Sequence, residues 1–383
     1  RILVVDDNEM NRDLLSRRLR QQGHTVSIAE NGRRALELIA AEEFDVVLLD
    51  IMMPEVDGYK VLEALRGDGT LDRLPVIMIS AVTEIDSVVR CVEMGATDYL
   101  PKPFNPVLLK ARVGATLEKK RLRDKERLWA RSLERELEIG REIQTSFLPE
   151  ELPQPAGWEI AARFFPARQV AGDFYDAFSL AGGERVGLVI ADVCDKGVGA
   201  ALFMALFRSL LRAFAERAYA EAGGSDASQL LSTVVSTNDY IARTHGHANM
   251  FATVFFATLD PASGSLTWLN AGHEAPVVCG ASGVRARFGP TGPALGMLPD
   301  MKYETREDRL RAGETLFAFT DGVTEAKDGS GHLFTEERVL ALVAEAAPTA
   351  AALLDRIEKA VSAHAAGAEP SDDITMLAVR RKG

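Results

Sequence analysis

Short apolar runs alternate with amphipathic stretches over residues 1–116. The runs that read as strands are RILVV, TVSIA, DVVLLD, PVIMIS and DYL. Between them, segments such as NRDLLSRRLRQQG and GRRALELIAAEE carry apolar residues at the three- and four-residue spacing of a helix face. This alternation predicts an α/β fold, a doubly wound five-stranded parallel sheet, in which ligands gather at the carboxyl ends of the strands.

The next stretch, residues 117–148, is densely charged in both signs and contains no proline. One heptad frame collects its apolar residues Leu122, Trp129, Leu133, Ile143 and Phe147. Glu126, Glu136 and Gly140 interrupt the frame. The segment reads either as a solvated connecting helix or as a short coiled coil that pairs two chains, and the frame favours the coiled coil. Prolines in LPEELPQP then end the helix.

A different pattern begins at residue 149 and continues to residue 383. Apolar runs that read as strands, most joined by short glycine-containing turns, are WEIAARFFPA, RVGLVIADV, MFATVFFATLD, GSLTWLNAG, APVVCG and TLFAFTDG. Helical patterns cover about 199–221, 228–244, 335–346 and 350–364. Runs of strands with separately grouped helices predict an α+β domain, an α/β/β/α sandwich of antiparallel sheets.

Composition narrows the class of protein. A length of 383 residues suits two or three domains. The net charge of −12 argues against nucleic acid as a partner, and the last segment offers no basic recognition helix. No apolar run approaches the roughly 20 residues that span a bilayer. Three widely spaced cysteines favour a reducing compartment. The opening RILVVDDNEM lacks a signal peptide and an initiator methionine, so the expectation is a cytoplasmic chain that starts just inside its natural beginning.

Polar residues follow the predicted strands of the first segment. Asp6 and Asp7 follow the first strand, Asp50 the third, Ser80 the fourth and Lys102 the fifth. Parallel strands bring these ends to one rim, where carboxylates repel one another unless a hard cation lies among them. Oxygen ligands of this kind suit Mg²⁺.

This set resembles the receiver domain of two-component response regulators over the whole segment. The positions that match the family's motifs are Asp6 and Asp7 (acidic pair), Asp50 (phosphoacceptor), Ser80 and Tyr99 (switch residues) and Lys102. The resemblance implies that Asp7, Asp50 and the Met52 carbonyl hold Mg²⁺, with Asp6 acting through water. It also implies that Asp50 takes a phosphoryl group from a histidine kinase or phosphotransfer protein, while Lys102 neutralises the transferring oxygens.

Acidic residues also recur at turn-like positions in the last segment. They occur in AGDFYD, ADVCDKG, TDGVTEA and SDDIT, as Asp173, Asp176, Asp192, Asp195, Asp321, Asp372 and Asp373. A lone aspartate in a turn commonly caps the backbone. Four such turns with few nearby basic residues favour convergence on divalent cations instead.

The order of these motifs, with MFATVF and NAGH between them, resembles the metal-dependent protein phosphatases of the 2C type. It is closest to the bacterial branch that controls sigma factors through anti-sigma antagonists, and the likeness starts at about residue 134. The resemblance implies a cluster of two Mn²⁺ or Mg²⁺ ions. Asp192 would bridge them with the Val193 carbonyl on one, Asp321 and Asp372 would hold the other, and Asp173 would act directly or through water.

The sequence departs from that branch at Asp195, which stands where ADVxGKG has its first glycine. A side chain there is expected to strain the turn or to add an unneeded charge. We interpret Cys194 as a small filler and His273 as a structural residue bonded to backbone. His245 and His247 are interpreted as solvated.

Together the halves predict a homodimer in which phosphorylation at Asp50 controls a phosphoserine/phosphothreonine phosphatase through the linker helix, in either direction. The implied substrate is a phosphorylated anti-sigma-factor antagonist, and no membrane is involved. The alternative is a non-catalytic adaptor that binds or sequesters a regulatory protein. The adaptor has no need of Asp192, Asp321 and Asp372 together, so their presence favours the enzyme.

Overall fold

The computed structural model describes residues 1–81, 85–220, 223–368 and 370–383, with backbone alone for 85–88. The chain divides into two compact units, Arg1–Leu133 and Glu134–Gly383. Each unit has its own sheets and cores, and each is described by itself.

The first unit contains a five-stranded parallel sheet in the order β2-β1-β3-β4-β5. Its strands are β1 (Ile2–Val5), β2 (Val26–Ala29), β3 (Val46–Asp50), β4 (Val76–Ser80) and β5 (Asp98–Pro101). The helices that connect and follow them are α1 (Glu9–Gln21), α2 (Gly32–Ala41), α3 (Gly58–Gly67), α4 (Ile85–Glu93) and α5 (Pro106–Phe147).

Both faces of this sheet are buried, which explains why its strands read as continuous apolar runs. Alternate residues of β1 serve opposite cores: Leu3 and Val5 pack on one side, and Ile2 and Val4 on the other. The parallel pairing places the carboxyl ends of β1, β3, β4 and β5 along one rim.

Helix α5 is unbroken over 42 residues from Pro106 to Phe147. Proline is well tolerated at a first helical position because its missing N–H has no partner there in any case. Leu109 and Val113 are buried against the sheet, whereas Trp129 is 75% exposed. The linker sequence therefore belongs to the same helix as the last helix of the first unit.

The second unit contains two five-stranded sheets, β13-β10-β9-β8-β7 and β12-β11-β14-β15-β6, whose strand pairs are antiparallel. The strands are β6 (Trp158–Phe165), β7 (Phe174–Leu180), β8 (Arg185–Val193), β9 (Ala252–Leu259), β10 (Ser265–Ala271), β11 (Val277–Gly280), β12 (Gly283–Arg287), β13 (Arg306–Arg309), β14 (Thr315–Phe319) and β15 (Ile374–Arg381). The helices are α6 (Val198–Ala220), α7 (Asp226–His245), α8 (Asp321–Thr324), α9 (Glu336–Ala344) and α10 (Ala350–Ala365).

Three apolar cores separate four layers in this unit. Leu188 and Leu377 belong to the core between the two sheets. Phe207 of α6 packs in the core outside the first sheet, and Leu354 of α10 packs in the core outside the second. The α/β/β/α sandwich predicted from the sequence is confirmed, as is the parallel sheet of the first unit.

Helix α6 is long and apolar enough to cross a membrane by length and composition alone. The expectation that no apolar run approaches that length is wrong for this helix. Its residues at helical spacing, among them Met204, Phe207 and Leu211, are buried in a protein core. Packing within the unit thus accounts for this face of α6, whereas Leu202 on the same helix is 67% exposed.

Candidate phosphoacceptor rim and acidic cluster

Three carboxylates of the first unit meet at the rim of the parallel sheet. Asp6, Asp7 and Asp50 each offer an oxygen, and these atoms all lie within 4.8 Å of one another. In the part of the chain that the structure describes, no other group of three or more acidic, histidine or cysteine residues meets that criterion. Such an all-oxygen set fits Mg²⁺.

Lys102 supplies the positive charge at this rim. Its Nζ lies 2.7 Å from Asp50 Oδ2 and 2.8 Å from Asp6 Oδ2. Burial opposes the charged ammonium, but the two ion pairs prevail and raise the pKa of Lys102. The Lys102–Pro103 peptide bond is cis, and the Lys102 N–H donates to the Ser80 carbonyl at 2.7 Å.

Asp50 is buried, with 3% of its surface exposed. Burial raises its pKa to about 6, a rise that the Lys102 bond opposes and the charge of Asp6 supports. Gly58 packs so closely beneath it that a Cβ at that position would lie 2.3 Å from the Asp50 carbonyl oxygen. A glycine there lets the chain turn back under the phosphoacceptor position.

The three remaining residues expected at the rim differ in how far they are exposed to solvent. Ser80, the last residue of β4, is buried. Tyr99 lies on β5 and is half-buried. Met52 follows β3 with its side chain 70% exposed. Ser80 and Met52 thus lie at the carboxyl ends of β4 and β3, whereas Tyr99 pairs with Met78 before the end of β4.

In the second unit, Asp192 lies near the end of β8, and burial and neighbouring carboxylates alter its pKa. Burial first, and then the charges of Asp321 and Asp372, raise the pKa of Asp192 to about 7. Burial and Asp372 likewise raise the pKa of Asp321, which begins α8 after β14. The sandwich therefore brings these three predicted residues into one electrostatic environment.

Asp173 is fixed by two hydroxyl donors. Thr320 Oγ1 and Thr375 Oγ1 each donate to Asp173 Oδ2 at 2.7 Å. Burial, followed by the negative charge of Asp192, raises the pKa of Asp173 well above its ordinary value. The two threonines were not anticipated from the sequence, because pairing between β14 and β15 brings them together.

Asp372 and Asp373 are adjacent in sequence but have different surroundings. Asp372 Oδ2 accepts from Lys196 Nζ at 2.7 Å. The buried Asp373 accepts from the Ala167 and Gly172 N–H groups, each at 2.8 Å, and thereby holds the loop before β7. Asp372 thus pairs with a lysine, whereas Asp373 is held by backbone donors. Lys196 was not singled out in the sequence.

Gly172 and Val193 meet at close range. A Cβ at position 172 would lie 2.7 Å from the Val193 carbonyl oxygen and 3.7 Å from Asp192 Oδ1. Glycine therefore keeps this carbonyl and this carboxylate accessible. Gly322 is equally constrained, since a Cβ there would lie 1.9 Å from the Asp373 carbonyl oxygen.

His273 lies in the buried interior of the unit. Its Nδ1 shares a 2.9 Å hydrogen bond with the side-chain hydroxyl of Thr253. Burial lowers the pKa of His273 to about 3, so the ring is neutral at ordinary pH. A neutral buried ring fits the structural interpretation of this residue.

Asp195 adopts a left-handed backbone conformation, with φ of 71°. This is the position at which the sequence substitutes aspartate for glycine. Its Oδ1 accepts from the Lys196 N–H at 2.8 Å, a local bond that partly compensates the conformation. The turn that connects Asp192 to α6 is therefore kept despite the side chain.

Comparisons with known proteins cover both units of the chain. Residues 2–114 match the family model of the response regulator receiver domain, and residues 182–382 match that of Stage II sporulation protein E, SpoIIE. The chain thus joins a receiver domain to a phosphatase domain of the 2C type. It belongs to the SpoIIE family.

Individual relatives cover different parts of the chain. Protein IcfG from Synechocystis sp. is 42% identical over 263 residues, 64% of this chain and 41% of its own length. The response regulator MprA from Mycobacterium ulcerans is 44% identical over 126 residues, 33% of this chain and 53% of its own. The chain thus spans about half, or less, of the length of these curated relatives.

A solved structure supports the fold of the second unit. The SiaA-PP2C domain of Pseudomonas aeruginosa aligns with a TM-score of 0.53 at 21% identity, covering 66% of this chain and 98% of that one. At this identity the match concerns the fold. It agrees with the two antiparallel sheets and their flanking helices.

Proposed function

We propose that the chain is a two-component response regulator whose phosphorylation at Asp50 controls a metal-dependent protein serine/threonine phosphatase. The proposed parts are a receiver over residues 1–116, a helical linker over 117–148 and the phosphatase over 149–383. The observation that carries the phosphatase proposal is the shared electrostatic environment of Asp192, Asp321 and Asp372.

The donor set of the second unit fits two divalent cations. Its carboxylates raise one another's pKa, although they are more widely spaced than the three at the receiver rim. A wider set suits two ions, which in such sites lie roughly 3.5–4 Å apart. Asp192, the Val193 carbonyl, Asp321 and Asp372 would hold two Mn²⁺ or Mg²⁺, with Asp173 behind them. When bound, such a pair of cations lowers the pKa of a shared water and neutralises phosphate oxygens.

The chain's own residues prepare this site in three ways. Thr320 and Thr375 fix Asp173, so that its carboxylate cannot rotate away from Asp192. Gly172 leaves room beside the Val193 carbonyl. Lys196, held between the Ser371 carbonyl and Asp372 at 2.7 Å each, places a positive charge where a substrate phosphate would approach.

At the receiver rim, Asp7, Asp50 and the Met52 carbonyl would hold Mg²⁺, with Asp6 acting through water. Asp50 is the nucleophile in this proposal, and Lys102 balances the charge that arrives with the phosphoryl group. Ser80 and Tyr99 would respond to the new charge. The phosphodonor is proposed to be a histidine kinase or a phosphotransfer protein.

For the output, the proposed substrate is a phosphorylated anti-sigma-factor antagonist. Membership of the SpoIIE family supports this substrate class, and the net charge of −12 argues against a nucleic-acid target. We further propose a cytoplasmic homodimer that pairs through the linker.

Hydrolysis of p-nitrophenyl phosphate tests the proposed activity. With Mn²⁺, the full chain should turn over this substrate, and Asp192→Asn should lower kcat at least about 100-fold because it removes the bridging carboxylate. Asp355→Asn, a half-exposed carboxylate on α10, is the matched control and should behave like wild type. Absence of metal-dependent turnover with or without beryllofluoride would instead support a phosphorylation-controlled adaptor.

A further inference from the structure

One residue at the end of the linker helix is buried in an otherwise exposed turn. Gln144 is 6% exposed, whereas the preceding Ile143 is 56% exposed. Polar side chains are buried at a cost unless their hydrogen-bonding groups find partners. The partners of Gln144 therefore show what this end of α5 is attached to.

Both ends of the Gln144 amide bond to the backbone of one residue. Its Nε2 donates to the Ala171 carbonyl at 2.6 Å, and its Oε1 accepts from the Ala171 N–H at 2.9 Å. The amide thus pairs with the loop as a neighbouring β-strand would. Leu148, four residues further on, is buried in the core outside the first sheet and holds the helix end in place.

The residues that follow Ala171 belong to the acidic cluster. The Gly172 N–H donates to Asp373 Oδ2, and position 172 lies against the Val193 carbonyl. Asp173 comes next and accepts from two threonines. Three consecutive residues, 171–173, therefore connect α5 to the end of β8, to the start of β15 and to the residue that follows β14.

We propose that Gln144 is a positioning residue that couples the linker helix to the metal site. A shift or rotation of α5 must either carry Ala171 with it or leave two buried polar groups unpaired, which is unfavourable. Movement of Ala171 changes the position of Gly172 relative to the Val193 carbonyl and of Asp173 relative to Asp192. This inference rests on the proposed phosphatase function and adds the contact through which control reaches it.

The chain contains a matched control for this interaction. Gln154 makes the same two-bond pair with Ile160, donating to its carbonyl at 2.7 Å and accepting from its N–H at 3.1 Å. Ile160 pairs with Val379, towards the end of β15 that is remote from Asp373. Gln154 is exposed, whereas Gln144 is buried. Loss of the Gln154 pair therefore removes the same two-bond pattern from a more solvated side chain, without reaching the acidic cluster.

The test compares Gln144→Met and Gln154→Met in the full chain. We expect Gln144→Met to weaken Mn²⁺ binding, measured by calorimetry, about tenfold or more, as losses of supporting contacts around metal ligands commonly do. Amide hydrogen exchange in residues 166–173 should also become faster. Gln154→Met should leave both properties within about twofold of wild type.

If the wild type binds Mn²⁺ and is active, and Gln144→Met has the same Mn²⁺ affinity and the same turnover, the coupling role of Gln144 is wrong but the proposed function stands. Absence of Mn²⁺-dependent turnover in wild type would instead overturn the proposed function.

A second measurement needs no variant and covers the case in which Gln144→Met does not fold. At constant Mg²⁺, beryllofluoride on the wild-type chain should change amide exchange in residues 166–173 together with turnover. A change in turnover with unaltered exchange in this segment would contradict the proposal.

Discussion

At the scale of single residues, the turn after Asp192 carries a side chain in a conformation that suits glycine. Asp195 has a φ of 71° and adds a negative charge next to a cluster that is already acidic. Residues other than glycine lose roughly 1–2 kcal/mol in this region, although aspartate recovers part of that through local hydrogen bonds. The hydrogen bond from the Lys196 N–H to Asp195 Oδ1 is a local bond of this kind and offsets part of the strain.

Replacing Asp195 with glycine should therefore stabilise the second unit. The released strain exceeds the roughly 0.4–1 kcal/mol that glycine's freedom costs in the unfolded chain. We expect the Tm to rise by about 2 °C, given the size of the unit. Asp195→Ala is the control, since it removes the charge but keeps the strain. Calorimetry should rank the glycine variant above the alanine variant, and the reverse order would contradict this explanation.

Burial of Asp50 gives a pH-dependent prediction for the receiver. The pKa of Asp50 is raised from its ordinary value to about 6, so the folded receiver holds this proton more firmly than the unfolded chain. The corresponding stability is present below the unfolded pKa and is lost as the pH rises through 6. In EDTA, Asp50→Asn should raise the receiver's Tm by a few degrees at pH 8 and by less at pH 5.

The control for this prediction is Asp13→Asn, an exposed carboxylate of α1 that pairs with Arg17. It should follow wild type at both pH values. An equal gain for Asp50→Asn at pH 5 and pH 8 would show that ionisation of Asp50 is not the cause.

At the scale of elements, α5 carries a frame of apolar residues that are exposed in the part of the chain that the structure describes. Leu122, Trp129, Leu133 and Ile143 are about half exposed or more. Each such side chain gains roughly 1.5–3 kcal/mol when it is buried. Pairing with a second copy of the helix, as in a coiled coil, would bury the frame.

Substitutions on this frame should separate the proposed homodimer into single chains. Trp129→Glu combined with Leu133→Glu should raise the dimer dissociation constant at least 100-fold, because buried carboxylates would replace apolar contacts. Arg131→Glu, on the outward side of the same turn, should leave the dimer intact. Analytical ultracentrifugation of the wild type, the double variant and Arg131→Glu measures the oligomeric state of each. A monomeric wild type would rule out pairing through the linker.

The elements also show what the sequence pattern can and cannot predict. Most strands with apolar runs, such as β3 and β8, were located correctly, but β15 was missed although its run ITMLAV is largely buried. The helices α6, α7, α9 and α10 were also located correctly, apart from the last predicted residue of α6, which lies outside the described residues. The edge strands β12 and β13 were missed because they contain several charged residues and are half-buried or exposed, so they lack an apolar signature. β7 was missed because Asp176 and Ser179 interrupt its apolar pattern.

The site likewise contains residues that the sequence could predict and supporting contacts that it could not. Acidic residues at strand ends could be recognised locally, and the receiver carboxylates do meet at one rim. The supporting contacts of Thr320, Thr375 and Gln144 could not, because each depends on pairing between distant segments. Burial of Asp176 beside Arg208, at 2.9 Å, likewise shows that this acidic motif residue serves packing of α6 on β7.

At the scale of the whole molecule, two acidic centres with different chemistry occur in one chain. At the receiver rim Lys102 pairs with Asp50, and in the second cluster Lys196 pairs with Asp372. A receiver and a phosphatase in one protein imply that the state of one centre alters the other.

Control across the chain is testable with beryllofluoride, which mimics phosphorylated Asp50. Turnover of p-nitrophenyl phosphate should change at least about threefold, in one direction, when beryllofluoride and Mg²⁺ are added to wild type. Asp50→Asn should show no change, since it lacks the carboxylate that holds the mimic. An equal response in Asp50→Asn would place the effect outside the receiver.

The most direct test of the phosphatase account is crystallographic. In crystals grown with Mn²⁺, anomalous scattering should show two peaks roughly 3.5–4 Å apart, bounded by Asp192, Asp321 and Asp372. Crystals of Asp192→Asn should lose at least one of them. Density for no Mn²⁺ in this region, or for ions bound to other residues, would contradict the account.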